Sequence, residues 1–61
     1  MILKTYLKQN NITVAKFSRD LDVTPQAVFY WMSGDRMPDK ESMKKIVEQT
    51  NGEVMPNDFY L

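Results

Sequence analysis

The chain contains no cysteine and no histidine. Without thiols it can form neither a disulfide nor a thiolate metal site, and without imidazole it loses the commonest metal ligand and general base. No metal and no cofactor are therefore expected. An enzyme would need paired carboxylates or an activated lysine in a cleft, which a chain of 61 residues has little room to build. No apolar run approaches the roughly 18 residues of a membrane span, and the N-terminal segment lacks a signal-peptide pattern. The expectation is a cytoplasmic protein with no membrane partner and no small-molecule substrate. Net charge is lacking too, since eight basic residues balance eight acidic ones. No stretch alternates apolar and polar residues convincingly with period two, so strands are not expected.

What remains is a single domain over residues 1–61, with little stability to spare at this size. Its support must come from well-packed helices, helped by self-association. Ile2, Leu3, Tyr6 and Leu7 recur at helical spacing and predict a helix over residues 2–9, stopped by Asn10 and Asn11. Thr13 is a candidate N-cap for a second helix whose apolar residues Val14, Phe17 and Leu21 share a face. Asp22 then makes a turn. Thr24 followed by Pro25 is the clearest start signal, because threonine caps an orphan N–H and proline at the first helical position loses no hydrogen bond. That third helix should run to about Ser33 and end at Gly34 in a left-handed C-cap.

Asp39 should cap a fourth helix, with Met43, Ile46 and Val47 inward and a stop at Asn51-Gly52. In the apolar tail, Pro56 before Asn57, Asp58 and Phe59 suggests one helical turn folding back on the core, with an extended, strand-paired tail as the alternative. The fold class is all-α, a compact bundle of four to five helices. The methionines Met32, Met37, Met43 and Met55 are expected to fill gaps in a small core.

The informative stretch lies between Val14 and Ser33. Two short helices joined by a turn of about three residues define a helix-turn-helix. Phe17 and Leu21 from the first helix, Val23 from the turn, and Val28 and Trp31 from the second must share one small core. Ser18 supplies the small residue where the helices approach closely, and Asp22 tolerates the positive φ the turn needs.

The run from Thr13 to Gly34 resembles the helix-turn-helix of phage Cro and repressor proteins and related bacterial regulators. Val23-Thr24-Pro25-Gln26-Ala27-Val28, followed by Trp31 and Gly34, is close to that family's most recognisable segment. Arg36-Met37-Pro38 and the ending from Asn51 to Phe59 are also similar to small Cro-type proteins. Ser18 and Asp22 stand where the family prefers alanine and glycine. The resemblance implies a DNA-binding regulator, most simply a repressor. Its second motif helix would enter the major groove of a double-stranded operator, and two copies would sit on a palindromic site.

On that helix the face opposite Val28 and Trp31 carries Gln26, Phe29, Tyr30 and Ser33. Gln26 can pair with adenine through N6 and N7, Phe29 can meet thymine methyl groups, and Tyr30 can donate to a phosphate or a base. Thr24 and Pro25 open the helix, and Ala27 is small enough to allow close approach to the bases. For phosphates the candidates are Thr13, Lys16, Arg36 and Lys40. Residues 1–19 hold Lys4, Lys8, Lys16 and Arg19 and no acid, so a neutral chain can still present one basic face. Lys44 and Lys45 are expected to pair with Glu41 and Glu48 on a solvated face. Val54, Met55, Phe59, Tyr60 and Leu61 are the candidate surface of a weak homodimer, with packing on the chain's own core as the alternative. The rival reading is a helix-turn-helix protein-interaction adaptor or antitoxin-like partner protein, for which neutral charge and exposed Phe29 and Tyr30 would suit a protein partner.

Overall fold

The computed structural model describes residues 1–60. It is all-α: α1 spans Leu3–Gln9, α2 Val14–Leu21, α3 Pro25–Ser33 and α4 Lys40–Gln49, and a 3-10 turn at Pro56–Phe59 closes the chain. No strand occurs among the described residues.

Side-chain caps define where three of the helices begin. Thr13 Oγ1 accepts from the Lys16 N–H at 3.1 Å, Thr24 Oγ1 from Ala27 at 3.2 Å, and Asp39 Oδ1 from Ser42 at 3.2 Å. Each satisfies an amide that the helix itself leaves without a partner. The helix ends use left-handed residues. Asp22 closes α2 at φ 58, ψ 45, and Gly34 closes α3 at φ 85.

Buried Phe17 and Leu21 of α2, Val28 and Trp31 of α3, and Ile46 of α4 form the centre of the core, joined by Leu3, Tyr6 and Leu7 of α1 and by Val54. Val23 packs against this cluster from the turn. Ser18 is buried, and its hydroxyl donates to the Ala15 carbonyl at 2.9 Å, so the small side chain leaves no unpaired polar atom. Lys45 reaches from α4 to donate to the Leu21 carbonyl at 3.3 Å, supplying a partner at the C-terminal end of α2.

The tail takes the helical turn expected at Pro56–Phe59 but corrects the reading of Val54 as part of a partner surface. Val54 has 0% exposure and belongs to the core, so it offers nothing to a partner molecule. It is held there through Thr50, whose buried hydroxyl donates to the Ile46 carbonyl at 2.8 Å and accepts from the Val54 N–H at 3.1 Å. Phe59 is half-buried and packs on the same cluster. Met55 and Tyr60 are exposed, and Leu61 lies outside the described residues.

Three other expectations also change. Ile2 precedes α1 as its exposed N-cap instead of joining the inward stripe. Met37 and Met55 are exposed, leaving only Met32 and Met43 half-buried against the body of the domain. On α4 only Ile46 is fully inward. Met43 and Val47 sit on the shoulders of the stripe, half-buried.

Replacing Val54 with alanine is expected to destabilise the domain by about 2–3 kcal/mol, the transfer cost of two methyl groups plus a cavity. Urea denaturation followed by circular dichroism should show this loss at every protein concentration. Tyr60→Ala should leave the midpoint of the monomer within experimental scatter.

Candidate nucleic-acid interface

α3 carries no charged residue along its nine positions. Burial of Val28 and Trp31 fixes its rotation, and that turns Gln26, Phe29, Tyr30 and Ser33 outward as a strip with i, i+3 and i+4 spacing. Phe29 is 56% exposed, a large apolar surface for a monomer to leave in water. Tyr30 is half-buried and Gln26 is exposed.

The strip is organised internally. Gln26 Nε2 donates to the Tyr30 phenolic oxygen at 3.1 Å. The Arg36 guanidinium carbon sits 4.9 Å from the Tyr30 ring centroid, within cation–π range. Ser33 Oγ lies 3.2 Å from the Tyr30 carbonyl and 3.1 Å from Asp35 Oδ2, so its single proton serves a local acceptor. Ala27 is half-buried and packs on the core, while Thr24 and Pro25 are exposed at the N-terminus of the helix.

The basic candidates are less concentrated than the strip. Lys16 is 64% exposed at its side chain and pairs with Asp20 at 3.3 Å, an exposed i,i+4 contact of little strength. Thr13 caps α2 one turn before it. Lys40 opens α4 and lines a groove along α4 and the tail with Met43, Val47, Met55 and Tyr60. Sequence reasoning missed this groove because Met43 and Val47 fall at core spacing and only the packing shows them half open. Lys45 pairs with Glu41 at 3.9 Å, as the spacing suggested, whereas Lys44 has no such pair among the described residues.

A tight three-residue turn, two capped helices and an outward strip on the second are the geometry of a helix-turn-helix. A family model described as helix-turn-helix matches residues 3–55, most of the chain. The chain belongs to the helix-turn-helix family. The family is of the Cro/C1 type, a DNA-binding transcription-regulator domain and not an enzyme family. No curated protein and no solved structure gives a match.

The strip lies on the second helix of the motif. In this motif the first helix braces the second, and the N-terminal half of the second meets base edges. No helix among the described residues is long and apolar enough to cross a membrane. No group of three or more potential metal-ligating side chains occurs among them.

Two carboxylates are held below their ordinary range. Asp39 is lowered by hydrogen bonding to the Ser42 side chain and then to its backbone N–H. Asp58 is lowered by the Met55 N–H and then by the N-terminal ammonium, which lies 2.9 Å from its Oδ2. Both values are lower folded than unfolded, so each group contributes stability that is present above the ordinary aspartate value and lost as pH falls through the lowered one.

Two outcomes follow from the motif's own geometry. Asp22→Gly should stabilise the domain by up to about 1 kcal/mol, since glycine adopts the left-handed turn without the Cβ penalty; a thermal melt would read this as a raised Tm. Asp39→Asn keeps a capping oxygen but no titrating group. The wild-type advantage over it should therefore be constant near neutrality and shrink steadily on acidification below about pH 4, as measured by Tm against pH.

Proposed function

We propose that this chain is a repressor of the phage Cro kind, cytoplasmic, which binds a palindromic operator as a weak homodimer with α3 in the major groove. The observation that carries the reading is the uncharged strip of Gln26, Phe29, Tyr30 and Ser33, turned outward on the second helix of a Cro/C1-type motif. Gln26 would pair with adenine, and Phe29, with Ala27 beside it, would meet thymine methyl groups. α3 has no arginine or lysine to read guanine, so the half-site should be rich in A·T pairs. Tyr30 and Ser33 complete the base-facing strip, and Thr24 and Pro25 bring the start of α3 close to the backbone.

Phosphate contacts are assigned to Thr13, Lys16, Arg36 and Lys40. Thr13 caps the N-terminus of α2, as Thr24 caps that of α3, and positive potential there favours an anion. Arg36 can stack on Tyr30 and still present its in-plane N–H groups to a phosphate. For the dimer, Met55 and Tyr60 remain the exposed tail candidates, joined by Met43 and Val47 along the α4 groove. One reading helix spans only a few base pairs, so two copies one helical turn apart would supply the specificity.

A protein adaptor or antitoxin-like role is the second reading, supported by the zero net charge and the exposed Phe29. Salt separates the two, because counterion release weakens DNA binding steeply while an apolar protein contact is insensitive.

The test is selection from random duplexes followed by fluorescence anisotropy over a range of salt. Wild type should enrich an A·T-rich palindrome. Gln26→Ala should relax one position per half-site by about 1–3 kcal/mol. Lys16→Ala should keep the base preference and flatten the log–log salt dependence by about one unit per protomer. No enrichment, with residual binding gone at physiological salt, would replace the repressor reading with the adaptor.

A further inference from the structure

The Gln26 carboxamide does not project freely from α3. Its Nε2 is tied at 3.1 Å to the Tyr30 hydroxyl one turn later. Tyr30 is in turn covered by Arg36, whose guanidinium carbon is 4.9 Å from the ring centroid. The loop itself brings Arg36 there. With Gly34 at φ 85 the chain reverses, and the N–H groups of Gly34 and Arg36 both donate to the Tyr30 carbonyl, at 3.1 Å and 3.4 Å. Backbone and side chain of the loop therefore converge on one residue, and that residue holds the glutamine.

The tether suits the chemistry assigned to Gln26. Pairing with adenine needs the carboxamide edge-on, its oxygen accepting from N6 and its nitrogen donating to N7. The Nε2 group carries two protons. One is used on Tyr30, which leaves the other proton and Oε1 for a base. An untethered glutamine would have to surrender several rotamers on binding. A tethered one has given them up already, which is preorganisation.

We propose that Tyr30 is a positioning residue that sets the orientation of Gln26, and that Arg36 positions Tyr30, so that base selectivity at one step depends on a residue in the loop after the reading helix. This rests on the reading of α3 as the base-contacting helix. It assigns Tyr30 a role exerted through Gln26, in place of a base contact of its own.

Two measurements test it. The first needs no DNA. In a 15N-resolved NMR spectrum, the side-chain amide of Gln26 should be less mobile than those of Gln9 and Gln49, and Tyr30→Phe, which keeps the ring and its stacking, should release it. Equal mobility of the three glutamines in wild type overturns the tether.

The second is a double-mutant cycle on the selected operator and on the same operator changed at the Gln26-dependent base pair. Tyr30→Phe should lower discrimination there by about threefold to tenfold, the scale of one hydrogen bond. It should leave other positions, the salt dependence and Tm unchanged. In the Gln26→Ala background it should have no further effect. An equal loss in both backgrounds means that Tyr30 contacts DNA itself, and unchanged discrimination means that the tether is idle. Either result overturns the proposal while a position-specific effect of Gln26→Ala upholds the base-reading role of α3. Absence of any enriched duplex removes that role and this proposal together.

Discussion

The whole arrangement depends on the seating of Val28 and Trp31 against Phe17 and Leu21. α3 is built from proline, glutamine, serine and six apolar or aromatic residues. Its own amphipathicity says little about which side should face inward, because Phe29 and Tyr30 are as bulky as the residues that are buried. The rotation is decided by the partner surface. α2 offers Phe17 and Leu21 on one face with small Ser18 beside them, and the turn brings Val23 against the same cluster. Once Val28 and Trp31 fill that surface, the i+3 and i+4 geometry leaves Gln26, Phe29, Tyr30 and Ser33 no other place than outside. A core this small has few alternative packings to lose, yet little reserve if one contact fails.

The backbone between the helices is equally constrained, and it is solved with few glycines. Only two are present, and both take positive φ, Gly34 at 85 and Gly52 at 81. Asn11, Asp22 and Asn51 adopt the same region at φ 55, 58 and 54. Asparagine and aspartate tolerate it better than other side chains because a short polar group can bond locally. At Asp22 this keeps the motif's turn to three residues, at a modest strain that glycine would not carry. At Gly34 the reversal does something further, since it returns the chain over α3 and delivers Arg36 to Tyr30.

Much of this was legible in the sequence because caps act locally. Thr13, Thr24-Pro25, Asp39 and the Gly34 stop mark helix boundaries through bonds within four residues of themselves, so tertiary context hardly enters. Helical periodicity likewise separates the strip from Val28 and Trp31, and the Phe17–Leu21 face of α2 decides which of the two sides turns inward. The tail was not. Val54 follows Asn51-Gly52, where periodicity is broken, and its burial depends on a hydrogen bond from its backbone to Thr50 Oγ1. Met43 and Val47 were misjudged because a stripe has shoulders, and spacing does not say how far the neighbouring element covers them. The link from Arg36 through Tyr30 to Gln26 was hidden for the same physical reason. It runs through a loop whose path is set by the αL reversal and not by the identity of the residues it joins.

The missing charge, which at first argues against a nucleic-acid partner, fits a particular division of labour on the proposed reading. Phosphate contacts raise affinity for every sequence alike, while contacts to base edges raise it for one. On that reading, a neutral chain whose reading helix bears no charge draws less from the first term than a basic one would. Its binding must therefore come disproportionately from the second, and the ratio of specific to non-specific affinity grows even though absolute affinity is modest. Such a protein benefits most from spending no entropy on its base-reading side chain, because it has little electrostatic attraction in reserve. A glutamine already fixed by Tyr30 would meet that need, and on the proposed reading two copies paired on a palindrome would supply the remaining affinity by making the second contact intramolecular.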